Sequence, residues 1–171
     1  MSPVPRWDVR PEPPDGPQAR ELLHEYVAEL ARRTLGRPAN EAELARHLRR
    51  EPPEDLAPPR GLLLVATAPE GAPAGCVGVR RLPEAPGSAE LRRLYVRPEE
   101  RGLGLGRLLL GSAEEAAVRL GARRMVAEHH TLLTEARALW LGHGYRETAP
   151  YPGHGQGESW FARELSGSPG E

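Results

Sequence analysis

Three alternate glycines in Arg101-Gly-Leu-Gly-Leu-Gly106 offer the clearest chemistry in this chain. They stand between an apolar, β-prone run, Leu91 to Val96, and a helical pattern. In that pattern Leu105, Leu108, Leu109, Ala113, Ala116, Ala117 and Leu120 recur at steps of three and four. Pro98 ends the strand-like run and Gly121 closes the helix. The first turn of a helix carries unpaired N–H groups and the positive end of the macrodipole. Glycines let a ligand come close to that backbone, and phosphate is the natural guest. The dinucleotide fingerprint G-x-G-x-x-G does not fit, because Gly106 comes one residue early. A Gly-Lys-Ser/Thr loop does not fit either, because the chain has no lysine. A tight turn whose glycines serve packing alone is the plain alternative, and its conformational entropy argues against it.

The remaining composition narrows the class. A length of 171 residues predicts one domain with a sizeable core. A formal net charge of −1 gives no global attraction to nucleic acid or to an anionic membrane. The one cysteine, Cys76, excludes an internal disulfide and suits a reducing compartment. No apolar run reaches the length of a membrane span, and the N-terminus has no signal-peptide pattern, so the expected compartment is the cytoplasm.

The elements around the loop read in order. Residues 4 to 10 make a short first strand, and a proline-rich connector follows. A helix spans 18 to 35 and ends at Gly36. A second begins at Asn40, where Asn40 and Glu43 form a capping box, and stops at Pro52-Pro53. Leu62 to Thr67, Ala74 to Arg81 and residues 89 to 96 form an antiparallel meander. The loop and helix cross over to a parallel strand at 123 to 128. A helix over 132 to 141, N-capped by Thr131, a strand over 145 to 151 and a last strand over 159 to 165 complete the chain. Residues 166 to 171 read as a tail.

Arg101-x-x-Gly104-x-Gly106 resembles the (Arg/Gln)-x-x-Gly-x-(Gly/Ala) signature of the GNAT family of N-acetyltransferases. Ala136-Arg-Ala-Leu-Trp-Leu-Gly-His-Gly-Tyr-Arg-Glu147 is similar to that family's Ala-x-x-Leu-Tyr-x-x-x-Gly-Phe stretch. The element order matches the family from residue 4 to residue 165. The resemblance implies an α/β (α+β) fold with a mixed, mostly antiparallel central sheet of about six to seven strands and about four helices. Strands 91–96 and 124–128 would be splayed. It also implies acetyl-CoA as co-substrate and direct acetyl transfer to a primary amine, with a small molecule as acceptor and no metal. The family commonly dimerises through its last strands. A non-catalytic acyl-CoA sensor and a nucleotide-binding αβ protein are the rival readings.

The resemblance also distributes roles. The backbone of Leu94, Tyr95 and Val96 would hold pantetheine and present an N–H to the developing oxyanion. The backbone of Arg101, Gly102, Leu103, Gly104, Leu105, Gly106 and Arg107 would hold the pyrophosphate, with the Arg101 and Arg107 side chains as charge partners. An alkyl amine is protonated at neutral pH and needs a base. Glu90 is the candidate, eleven residues before Arg101, with a surface glutamate paired to Arg92 as the plain alternative, and alternation puts it on one face with Arg92, Leu94 and Val96. Trp140 occupies the position of the family's usual tyrosine acid and would pack on the pantetheine or the acetyl-binding region. Tyr145, His143 or water are the replacement acids, and Glu128 and His129 would bind the acceptor. His130 and His154 are weaker acceptor candidates, and Leu133 stands where many members carry a cofactor-binding asparagine.

Overall fold

The computed structural model describes residues 6–50, 53–129, 134–153 and 157–165. Seven strands form one sheet: β1 (Asp8–Pro11), β2 (Gly61–Thr67), β3 (Pro73–Arg81), β4 (Ser88–Val96), β5 (Arg124–His129), β6 (Arg146–Thr148) and β7 (Ser159–Glu164). Their order across the sheet is β1-β2-β3-β4-β5-β7-β6. The β4–β5 pair is parallel and the other five pairs are antiparallel, so the sheet is mixed and mostly antiparallel as expected. The described helices are α1 (Pro17–Leu35), α2 (Glu41–Arg50), α3 (Leu105–Arg119) and α4 (Thr134–Gly142).

The apolar run of β2 has no polar alternation because both of its faces are covered. Leu64 and Ala66 pack in the cluster under α3, while Leu63 and Val65 pack in the cluster under α1. From α1, Ala19, Leu22 and Leu23 close the second cluster. The helix ends at Gly36, whose φ of 73° is the left-handed cap that glycine adopts without strain. The capping box of α2 forms in both directions. The Glu43 backbone N–H donates to Asn40 Oδ1 at 2.8 Å, and the Asn40 N–H donates to Glu43 Oε1 at 3.0 Å.

Several expectations need correction. Leu108, counted on the apolar face of α3, is 41% exposed, and Leu110 is buried instead. The buried face centres on Leu109, Ala113 and Ala116, which leaves Leu108 on the far flank. β1 runs from Asp8 through Pro11, later than residues 4 to 10, with Pro11 opposite Leu64 at the ladder's end. β6 is limited to Arg146–Thr148, and the buried Tyr145 and Tyr151 flank it. The chain also returns so that β7 lies between β5 and β6. The Thr131 cap, His130, Leu133, His154 and the tail lie outside the described residues.

Candidate active site

β4 and β5 hold together from Ser88↔Arg124 to Leu91↔Ala127 and then part. Beyond that point β5 pairs with β7, Glu128 facing Trp160 and His129 facing Ser159. β4 stays on β3, with Tyr95 facing Cys76 and Val96 facing Gly75. Two strand edges therefore face each other across a fork without a ladder between them. Such edges offer N–H and C=O groups to an extended guest.

A bulge sits at the fork. Gly78 faces Arg92 and Cys76 faces Tyr95, so Val77 alone stands opposite Arg93 and Leu94. Arg93 takes a φ of 55°, uncommon for a residue with a side chain. The extra residue reverses the alternation. Glu90 and Arg92 lie on the face of Val126 and Tyr151, whereas Leu94 and Val96 pack with the α3 cluster. The expectation that all four share one face is thus corrected. Nothing in the sequence of β4 marked the bulge, because no glycine stands at Arg93 or Leu94.

The Glu90 carboxylate is 3% exposed and fully engaged. Arg80 Nε donates to its Oε1 at 2.8 Å, and the Tyr151 hydroxyl donates to its Oε2 at 2.8 Å. Arg92 Nε lies 3.6 Å from Oε1, and Arg80 also meets Asp55 at 3.1 Å. Glu128 continues along the same face of β5, one step past the fork, and the chain at Gly157 crosses directly over it. His129 points the other way. It is 4% exposed, with its ring edge on Phe161 at 5.9 Å. Period-two alternation separates the two residues expected to bind one acceptor, so Glu128 shares the face of Val126 and His129 does not.

On the other side of the fork a cavity of about 430 Å³ is walled by Tyr26, Glu29 and Leu30 of α1, Leu94, Tyr95 and Val96 of β4, the loop at Arg101 to Arg107, and Ala136 and Leu139 of α4. The loop end of this groove suits phosphate. Gly102 and Gly104 have φ of 78° and 95°, and a Cβ at either position would meet nothing within 4 Å. No side chain caps the first turn of α3 at Gly104, so its N–H groups are open to a ligand. Leu103 turns outward and is 46% exposed. Gly106 answers a different need, since a Cβ there would lie 3.1 Å from Leu139 Cδ2 of α4. The packing alternative thus holds for one glycine of the three.

The two loop arginines differ. Arg107 lines the groove and makes no ion pair among the described residues. Arg101 is occupied. Its guanidinium meets both Glu29 oxygens at 2.9 and 2.8 Å, its Nε donates to the Val96 carbonyl at 2.8 Å, and it lies over the Tyr95 ring. Glu29 continues a stripe on α1 with Glu21 and Glu25, which grip Arg97. The Tyr95 hydroxyl also donates to Glu25, at 3.1 Å. Beyond Glu29, Arg33 pairs with Glu135 of α4 at 2.7 Å. Carboxylates four residues apart on one helix face were the legible signal for this clamp. Arg101 therefore ties the loop to α1 before any ligand arrives. Arg101→Met should lower the melting temperature of the ligand-free protein by ~2–4 °C, the size of a ~1 kcal/mol loss at this length. Calorimetry without ligand checks this, because a residue that serves only a phosphate would leave that temperature unmoved.

The expected acids lie elsewhere. Tyr145 is 1% exposed and donates to Glu114 Oε2 at 2.9 Å. His143 and Arg163 meet the same carboxylate at 3.0 Å. Burial first, and the Glu114 charge next, push the Tyr145 hydroxyl well above its ordinary range. These groups brace α3, the end of α4 and β7, and none of them lines the groove. Trp140 is 4% exposed and packs on Tyr145 at 5.4 Å, while Ala136 and Leu139 form the groove wall expected of it. Tyr145→Phe should leave turnover nearly unchanged and cost about 1 kcal/mol of stability, measurable by steady-state rates and denaturant melts.

The model of the acetyltransferase (GNAT) family matches residues 21–145. The chain belongs to this family. An uncharacterised N-acetyltransferase of Schizosaccharomyces pombe is 35% identical over 139 residues, 81% of each protein. Among solved structures, a GNAT acetyltransferase of Staphylococcus aureus is similar in fold, with 14% identity, a TM-score of 0.74 and coverage of 94% of this chain and 99% of that one. PaiA N-acetyltransferase of Thermoplasma acidophilum, solved with coenzyme A, has 17% identity and a TM-score of 0.70 over 96% of this chain and 99% of its own. A Salmonella typhimurium protein solved with its cofactor acetyl-CoA has 22% identity and a TM-score of 0.62 over 96% and 97% of the two chains. The fold matches the expected one, a mixed, mostly antiparallel sheet whose β4–β5 pair parts beyond Leu91.

Proposed function

We propose that this GNAT protein transfers acetyl from acetyl-CoA directly to the primary amine of a small molecule, in a ternary complex and without a covalent enzyme intermediate. The observation that carries this reading is the single groove joining the uncapped α3 N-terminus to the unladdered edge of β4. Acetyl-CoA, when bound, would supply the acetyl group, and coenzyme A would leave as the thiolate and take a proton from water. The loop N–H groups at Gly102 to Gly106 and the Arg107 guanidinium hold phosphate charge at the groove's outer end. The Glu29 and Glu135 carboxylates on the groove wall are neutralised by Arg101 and Arg33, which reduces their repulsion of a polyanion. The Leu94 to Val96 edge takes the extended arm as a strand would, and orients a carbonyl for attack. Glu90 takes the amine proton, and Glu128 meets the ammonium from the neighbouring strand.

A thiolate is a good leaving group, so the reaction does not need a strong acid. The second reading, a non-catalytic acyl-CoA sensor, is favoured by one observation: both candidate acids are committed to Glu114. Among the described residues no helix is long and apolar enough to cross a membrane. The cytoplasm is the proposed compartment and a homodimer the proposed assembly.

Titration calorimetry with acetyl-CoA, followed by a free-thiol assay against a panel of amines, tests the reading. Cys76 does not disturb that assay, because it is fully buried and burial pushes its thiol up to about 12. Saturable binding with thiol release for one amine class supports the enzyme. Binding without release for every amine supports the sensor, and no binding removes both.

A further inference from the structure

Tyr151 belongs to no motif, and neither the family match nor the fold gives it a role. It enters from the segment after β6, between Pro150 and Pro152, whose rings restrict the backbone on either side. Its ring is 5% exposed and packs with Leu82 and Val126, and its hydroxyl reaches Glu90 Oε2 at 2.8 Å. The chain just beyond it is docked as well. The Gly153 carbonyl accepts from Arg80 at 3.5 Å, and a Cβ at Gly153 would lie 2.9 Å from Glu84 Oε2. Arg80 thereby joins three segments: Asp55 before β2, Glu90 on β4 and Gly153 after β6.

We infer that Tyr151 is a positioning residue for the catalytic base: with Arg80 it fixes the plane of the Glu90 carboxylate. This rests on the assignment of Glu90 as the base. Two donors from two different segments each take one oxygen, and a carboxylate held at both oxygens cannot rotate freely. Burial, and then the Glu90 charge, push the Tyr151 hydroxyl far above its ordinary range, so it stays a donor across the working pH. The charged and titratable groups around the pair are Arg80 on β3, Arg92 on β4, Glu128 on β5 and Asp55 behind Arg80. The base of a reaction centred on β4 therefore depends on a segment some sixty residues further along the chain, the 61-residue separation of the Tyr151–Glu90 bond.

Tyr151→Phe keeps the buried ring and deletes the donor. kcat should then fall by roughly tenfold, the weight of one lost charge-assisted hydrogen bond, while KM for the amine stays nearly unchanged. Acetyl-CoA affinity should be unchanged by calorimetry. A packing role alone would leave kcat unmoved, because the ring is kept, and that result overturns the inference. If the phenylalanine variant fails to fold, 4-fluorophenylalanine incorporated at position 151 serves instead. It keeps the ring and fills the place of the hydroxyl without donating, so the same loss is expected, and an unchanged kcat again overturns the inference. Glu90→Gln is assayed alongside. A dead Glu90→Gln enzyme with an unchanged kcat in the Tyr151 variant removes Tyr151 and keeps the base. An active Glu90→Gln enzyme removes the base itself and this inference with it.

Discussion

Glu90→Gln should lower turnover by about 10²- to 10⁴-fold, the range contributed by one general base. Acetyl-CoA affinity should stay nearly unchanged, because Glu90 does not line the groove between α1, β4 and the loop at Arg101 to Arg107. The reason is electrostatic as well as geometric. Glutamine keeps the shape and can still accept from Tyr151, but it cannot take a proton from an ammonium. The substitution also leaves Arg80 with Asp55 as its remaining carboxylate partner, so some loss of stability accompanies it. Rates extrapolated to saturating acetyl-CoA, read beside a calorimetric Kd, separate the two effects. Unchanged turnover in a folded variant would take Glu90 out of the mechanism and return the amine's proton to solvent.

Gly104→Val should strike the other half of the site. Gly104 is the N-cap of α3 with a φ of 95°, in a region closed to β-branched residues. The space around it is empty, so the penalty is backbone strain and not collision. Relaxing that strain of about 1–3 kcal/mol would turn the first N–H groups of α3 away from the phosphate position. The expected result is a loss of acetyl-CoA affinity of about ten- to a hundredfold, since each 1.4 kcal/mol is tenfold. Turnover at saturation should change less. Gly106→Ala makes a useful contrast. Its Cβ would press on Leu139, so it should loosen the contact between α3 and α4 without changing the loop's handedness. Equal Kd values for Gly104→Val and the unaltered protein would mean that the loop does not hold phosphate.

The element order was legible because each element carries its own local signal. β2 is a short apolar run, α2 opens with Asn40 and Glu43, α1 closes at Gly36, and α3 follows an Arg-x-x-Gly-x-Gly loop. Residue chemistry and spacing within about ten positions determined those features, and with them the family. The side chains around Glu90 were not legible. Arg80, Tyr151 and Asp55 come from three separate segments, and no local rule joins them.

Faces were the least legible of all. A single extra residue at Arg93 inverts the alternation of β4, and nothing in the sequence of that strand announces it. Tyr145 and His143 looked available because they sit near a family motif, yet both turn to Glu114, 31 and 29 residues before them and on another helix. By itself the sequence determined which segments become strands and helices, because that depends on backbone propensity and on local capping and turn residues. Only the tertiary structure decided which side chains share the cleft. That depends on register, on the bulge and on the return of β7 between β5 and β6, and all three are settled by long-range packing.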